Sequence, residues 1–395
     1  MVGEATSEER VANMESLARY VENGTPLPAG TIQVDASVAA ANIGAAQMPV
    51  ARSVVGHPSG TVIDVYPKAP TAGWALINCT AQSGTVELRD LTIHGPTAIA
   101  DGYTEEVLRN TDVFRWVGDG TLIVDNVAVT GIPGRAIQFS GVGDCTIANS
   151  TLNGYVAPVA RWESFDSPTP GSLTVTGSHL TGVGSGSTSI GIYVHPHIPV
   201  TVRGSTFDSF ARYGVYQNGT TPNIASALIE DCEFRRCGVI LSSGATATIR
   251  RVLWDDLGEY SFSSILRGDA VIEDSVFRSS PWSTMPSAPG SVIVFRRCQW
   301  TGPHHCNFST GAELDITFED CFWNIDLWYG TVLAMGSNAT GSVAFTGCTI
   351  DDDLGTTGHA IEILGTVTLD RTGLTVSTGR AGTFWNLGPD VTVIG

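Results

Sequence analysis

Three observations predict an all-β chain, and within that class a single-stranded right-handed parallel β-helix with three strands per coil and about 11–13 coils. A short motif of small residue, variable residue and large apolar residue recurs along most of the chain. Only 15% of the residues are charged, and 45 glycines with abundant Ser, Thr and Val favour strands and tight turns over helices. Apolar residues alternate with polar ones over short runs, which is the period of a strand.

The N-terminal segment departs from this pattern. Ser7 to Tyr20 reads as an amphipathic helix, with Ser7 as N-cap, Glu8 and Glu9 in the first turn, and Val11, Met14, Leu17 and Ala18 as the apolar stripe. Residues 1–50 are therefore expected to form a capping or docking segment, and residues 51–395 the β-helix. A β-helix needs a cover over its first coil, because open strand edges recruit other chains.

The motif begins at Asp90-Leu91-Thr92-Ile93 and Asn126-Val127-Ala128-Val129. It continues through Asp231-Cys232-Glu233-Phe234 and Asp320-Cys321-Phe322-Trp323 to Arg371-Thr372-Gly373-Leu374. From Ile93 the large apolar position returns after 36, 23, 28, 27, 27, 20, 23, 23, 23, 27 and 24 residues, the spread expected of coils that carry insertions. One coil shows the anatomy. Ile316 and Phe318 share a face, and Cys321 and Trp323 share one of opposite parity, so a bend at Glu319-Asp320 turns both pairs inward. Runs such as Thr331–Met335 and Gly191–Val194 supply the third strand.

Stacking about 4.8 Å apart turns equivalent residues into columns. The elbow column alternates in sign over five coils: Glu230-Asp231, Arg250-Arg251, Glu273-Asp274, Arg296-Arg297, Glu319-Asp320. This reads as an ion-pair ladder that fixes register rather than as a catalytic carboxylate pair. Cys232, Cys298, Cys321 and Cys348 fall in one inward column with Val252 and Ser275, which suits structural thiols. No CxxC pair occurs among the eight cysteines.

Function classes are narrowed by charge. A net charge of −18 argues against duplex nucleic acid and anionic membrane surfaces as partners. No run of 18 apolar residues exists. The start, Met1-Val2-Gly3-Glu4, lacks the basic and apolar regions of a secretory leader.

The candidate catalytic residues are Asp208, Asp255 and His195. Asp208 and Asp255 belong to a second alternating column, Asp208, Arg235-Arg236, Asp255-Asp256, Arg278. They stand two coils or roughly 10 Å apart, near the carboxylate separation of inverting glycosidases. The intervening arginines oppose the raised pKa that a general acid needs. The candidate binding residues are Tyr193, Tyr216, Asn218 and Arg212, on and beside the outward third strand, with Trp162 in an insert between coils. Aromatic rings there would meet the apolar faces of sugars and polar neighbours their hydroxyls. No metal site is assigned, since adjacent residues such as His304-His305 point apart. Calcium is the one cofactor left open for the acidic surface.

The coil motif and three-strand register resemble the pectate-lyase-like β-helix superfamily over roughly residues 50 to 395. Its enzyme signatures are not met. Asn110-Thr111-Asp112 matches one polygalacturonase-like segment by letters, but Gly-His-Gly and Arg-Ile-Lys are absent, and the Asp351–Asp353 run lacks an arginine partner. In its helix-then-solenoid layout the chain is most similar to phage tailspike and tail-fibre proteins. That resemblance implies a homotrimer, contact with other virion tail proteins, a location on the virion tail or outside the cell, and host-surface polysaccharide as partner, to be bound, with depolymerisation as the activity such a protein could add. A secreted polysaccharide lyase or glycoside hydrolase, and an adhesive solenoid without catalysis, are the alternatives.

Overall fold

The structure, a computed structural model, describes residues 6–23, 25–35, 53–66, 75–82, 84–95, 111–131, 134–154, 156–162, 171–182, 189–217, 225–241, 247–255, 264–266, 268–278, 282–284, 290–301, 306–308, 313–324, 332–352, 359–378 and 384–395. It is a parallel β-helix. The chain divides into two compact units, Met1–Thr201 with Ser205–Arg212, and Val202–Gly204 with Tyr213–Gly395.

The first unit opens with the helix Ser7–Asn23. Its cap is Thr6, not Ser7. The Thr6 amide donates to Glu9 Oε2 at 2.7 Å and the Glu9 amide to Thr6 Oγ1 at 3.3 Å. Three-residue spacing allows this reciprocal pair, which Ser7 cannot make with Glu9. The Thr6 hydrogen bonds hold the Glu9 carboxyl below its ordinary pKa. Leu17 is buried as expected and Val21 joins it, whereas the side chains of Val11 and Met14 lie outside the described residues. Asn13 Nδ2 donates to the Gln33 carbonyl at 2.9 Å, which docks the helix on the strand Gly30–Asp35. That strand pairs in parallel with Thr61–Tyr66.

Each complete coil carries three strands. The third strands of the first unit, Ala75–Gln82, Asp112–Gly118, Arg135–Ser140, Val159–Trp162 and Ile190–Val194, form a parallel sheet. Those of the second unit are Tyr213–Gln217, Gly238–Leu241, Ser264–Leu266, Trp282–Thr284, Cys306–Phe308, Leu333–Met335, Ile361–Ile363 and Trp385–Leu387, again all parallel. Eight coils are thus represented in that unit.

The first and second strands meet at an elbow, and the first residue of most motif quartets takes a left-handed backbone there. Asp90, Asn126 and Asn149 have φ of 57°, 53° and 49°, Gly177 54°, Asp231 54°, Asp274 51° and Asp320 52°. Asp, Asn and Gly are the residues that tolerate this left-handed region. Arg251 and Arg297 adopt it too, with φ of 53° and 50°. Their guanidinium groups bond the elbow aspartates of the preceding coil, Arg251 Nε to Asp231 Oδ1 and Arg297 Nε to Asp274 Oδ1, each at 2.6 Å.

The ion-pair ladder is therefore present. Glu230 meets Arg250 at 2.7 Å, Arg203 at 3.1 Å and Arg251 more closely still. Arg296 lies between Glu273 at 3.2 Å and Glu319 at 2.6 Å. Hydrogen bonds from Arg250, Arg251 and Arg297 hold the carboxyls of Glu230, Asp231 and Asp274 respectively below their ordinary range.

The residue after the elbow points inward. Ser150, Ser178, Ser205, Cys232, Val252, Ser275, Cys298, Cys321 and Cys348 are all buried. Bending the chain leaves amides that the neighbouring coil's backbone does not reach, and the column supplies their partners. Ser275 Oγ donates to the Glu273 carbonyl at 2.7 Å and accepts the Val252 amide at 3.2 Å. The Ser150 and Ser178 hydroxyls do the same at Ala148 and Thr176, accepting the amides of Val127 and Ser150. Cys298, Cys321 and Cys348 donate to the carbonyls of Arg296, Glu319 and Thr346. These thiols are free, and the neighbouring Cys298 pushes Cys321 up to about 12. They are structural groups.

The large apolar residue fills the lumen. In the second unit Phe234, Trp254, Phe277, Trp300 and Trp323 stack with successive centroid separations of 5.3, 4.8, 4.9 and 4.8 Å. These are offset-stacked rings at the coil repeat.

Candidate functional site

The second strands of the first unit place alternate residues in the core and in solvent. Ile63, Ile93, Val129, Leu152, Leu180 and Phe207 point inward. Parity then sends two columns outward. The nearer one holds Val62, Thr92, Ala128 and Thr151. The further one reads Asp64, His94 and Thr130, then Asn153, Thr181 and Asp208 in the following coils. Every member of the further column carries a hydrogen-bonding side chain, and all are at least partly exposed.

At the N-terminal end of this face lies a cleft of about 440 Å³, lined among others by His57, Val62, Asp90, Thr92, Asn126 and Ala128. Local constraints hold it. Gly56 donates its amide to the Arg89 carbonyl at 2.8 Å. A Cβ at Gly56 would lie 1.9 Å from the Asp90 carbonyl oxygen, so only glycine lets this turn settle against the elbow. The His57 amide donates to Thr61 Oγ1 at 2.8 Å, and that hydroxyl donates to the Pro28 carbonyl at 2.8 Å. His57 Nδ1 accepts the Ser59 amide at 3.0 Å. On the opposite wall Asn126 Nδ2 donates to Asp90 Oδ1 at 2.7 Å.

Beyond the cleft, His94 Nδ1 lies 3.0 Å from Asp64 Oδ1, with side chains 52% and 27% exposed. An imidazole held by a carboxylate on an outward face is an arrangement able to move a proton. The cleft and column together present carboxylates, amides, hydroxyls and imidazoles at coil spacing, which suits a polyhydroxylated chain.

Asp208 closes the outward column of the first unit, with Ser209 Oγ donating to its Oδ1 at 2.8 Å. Asp255 belongs to the second unit, pairs in register with Arg235, and has Arg278 Nη1 at 3.9 Å. Arg235 itself bonds Glu233 at 2.7 Å, so the alternating second column is only loosely paired. Tyr193 is half-buried on Ile190–Val194 beside Ala160, and His195 follows it, its ring 5.4 Å from that of His197. Arg212 is exposed in the first unit, its amide donating to the Ser189 carbonyl at 3.2 Å. Tyr216 belongs to the second unit and packs on Tyr213, with centroids 5.6 Å apart. Asn218 and the Trp162 side chain lie outside the described residues.

The letter match at Asp112 has a structural explanation. Asp112 is fully buried, accepting Arg135 Nε at 2.6 Å and Arg115 Nε at 2.7 Å. Among the described residues no group of three or more His, Cys, Asp or Glu side chains could hold a metal ion. His57, Asp64 and His94 did not stand out from the sequence. Asp90 and Asn126 did, but as motif heads rather than as cleft walls.

The chain matches no protein-family model and no curated protein. Among solved structures it is similar to the Azotobacter vinelandii mannuronan C-5 epimerase AlgE4 A-module, at 11% identity over 95% of this chain and 99% of that one, with a TM-score of 0.32. A likeness of that strength assigns neither substrate nor reaction.

Proposed function

We propose that this protein is a glycan-binding parallel β-helix that holds a polysaccharide along the second-strand face of its first unit. The observation that carries the reading is the outward column from Asp64 to Asp208, which offers a hydrogen-bonding side chain in each of six successive coils beside an open cleft. Repetition at about 4.8 Å suits a polymer that repeats its own hydroxyls, whereas a small ligand would call for one enclosed pocket. The strongly acidic composition supports a neutral or cationic glycan over a polyanion.

The test is a glycan array with the full chain, followed by calorimetry on the ligands found. Replacing Asn153 with Leu and Thr181 with Val removes the middle of the column from partly exposed positions. Affinity should fall at least tenfold with unfolding unchanged. No binding across the array, or equal binding by the double variant, would refute the reading. The setting we propose is a virion tail, with host-surface polysaccharide as the partner and a homotrimer as the assembly. The helix-first layout supports it, and a monomer by light scattering at micromolar concentration would count against it.

A further inference from the structure

Among the described residues that line the cleft, Asp90 is the single acid, and no lysine or arginine joins it. Its charge is handled differently from that of the elbow acids in the second unit. There Asp231 and Asp274 each receive a guanidinium from the head of the next coil, Arg251 and Arg297, at 2.6 Å. In the first unit a neutral amide stands at that place. Asn126 Nδ2 donates to Asp90 Oδ1 at 2.7 Å, and Asn149 Nδ2 to Asp125 Oδ1 at 2.9 Å. An amide donor satisfies a lone pair but brings no counter-charge. Arg89, next to Asp90 in sequence, pairs with Glu87 instead, Nη2 to Oε2 at 2.7 Å. The rest of the lining includes apolar and hydroxyl groups. Val62, Thr92 and Ala128 stand in register in three successive coils beside the Asp90 elbow.

A ligand matched to this cleft brings a cation, a hydroxyl and an apolar face to one place. A sugar ring with an unacylated amino group has all three. We propose that the cleft binds the ammonium group of an amino sugar within the glycan, a reading that rests on glycan binding at this face. The ammonium donates to the Asp90 carboxylate. An ammonium has three donors and a carboxylate about four acceptor sites, so Asn126 and the ligand can share the group. The C–H face of the ring lies against Val62 and Ala128, and Thr92 meets a hydroxyl. An N-acetylated ring would desolvate the Asp90 charge and offer no counter-charge in return. A uronic acid would bring a like charge to it. The cleft thus selects the cationic glycans from the neutral and cationic classes that the composition admits.

The probes are a β-linked glucosamine hexamer and its N-acetylated counterpart, which share ring and linkage and differ in charge. Each is titrated into the full chain by calorimetry. The amine form should bind at least tenfold more tightly, and raising sodium chloride from 50 to 500 mM should remove most of that preference. Asp90→Asn keeps the Oδ1 acceptor for Asn126. It also suits the left-handed elbow, where Asn126 and Asn149 have φ of 53° and 49°. That variant should abolish the preference with the urea midpoint unchanged. Spermidine, a flexible polyamine without a ring, should bind at least tenfold more weakly than the glucosamine hexamer. Four results overturn the inference and leave the binding reading intact: array ligands without a free amino group, equal binding of the two hexamers, a preference that survives in Asp90→Asn, or spermidine bound as tightly as the hexamer. Failure to bind any glycan removes both.

Discussion

Ser275→Ala tests the hydrogen-bonded column on which the elbows depend. Ser275 is 1% exposed, and its hydroxyl makes two bonds, donating to the Glu273 carbonyl and accepting the Val252 amide. The two losses are unequal. The Glu273 carbonyl also accepts the Arg251 amide at 3.0 Å, so it stays partnered in the variant. The Val252 amide loses the hydroxyl that accepts it, and an unsatisfied buried donor costs about 1–3 kcal/mol. The expected effect is about 2 kcal/mol, or roughly 30-fold faster hydrogen exchange at the Val252 amide, with the urea midpoint shifted in the same direction. Ser275→Cys is the control. The column already uses cysteine at 298, 321 and 348, where Sγ donates to the equivalent carbonyl at 3.3–3.4 Å. Ser275→Cys should therefore lose less than half as much as Ser275→Ala. If Ser275→Ala leaves Val252 exchange unchanged, the column is only a packing stripe and the account of the elbow is wrong.

Three further outcomes are expected. Gly177 has φ of 54°, so Gly177→Val should lower the thermal midpoint by the equivalent of about 1–2 kcal/mol or more, while Gly177→Asn, which matches Asn149 one coil earlier, should be tolerated. Trp300 is fully buried between Phe277 and Trp323, and Trp300→Ala should cost about 3–5 kcal/mol in urea unfolding. The carboxyls of Glu230, Asp231 and Asp274 are lowered in the folded state by their arginine partners. Their stabilisation is present above the unfolded carboxylate pKa and is lost as pH falls through the lowered folded values. Arg297→Met, which frees Asp274, should therefore shrink the loss of stability between pH 5 and pH 2 in an acid titration followed by circular dichroism, and identical acid curves would refute that pairing.

Particular residues show why the fold was legible in the sequence and the candidate cleft was not. Ile316, Phe318, Cys321 and Trp323 declare two strands and an elbow, because parity reverses between the pairs and only a bend buries both. The ion-pair ladder was legible for the same reason, since its partners occupy the same place in successive repeats. The left-handed elbow was hidden where arginine occupies it. Arg251 and Arg297 have no intrinsic preference for positive φ, and their placement depends on the aspartates of the preceding coil. Conspicuous aromatics such as Tyr193 and Tyr216 draw attention in the sequence, and they lie in different compact units. Nothing beside His57 and His94 in sequence marks them. His57 is held by Gly56 against Asp90, and His94 is paired with Asp64 across 30 residues.

The sequence by itself determined the coil. Alternation, parity reversal and the recurring motif are local, and local sterics and burial suffice to turn them into strands and elbows. Only the tertiary structure decided which side chains share the outward face of the first unit. That outcome depends on the register between coils. The insert lengths vary from coil to coil, so the register is set by inter-coil hydrogen bonds, by the buried Ser–Cys column and by contacts as close as that of Gly56 with Asp90, none of which one stretch of sequence contains.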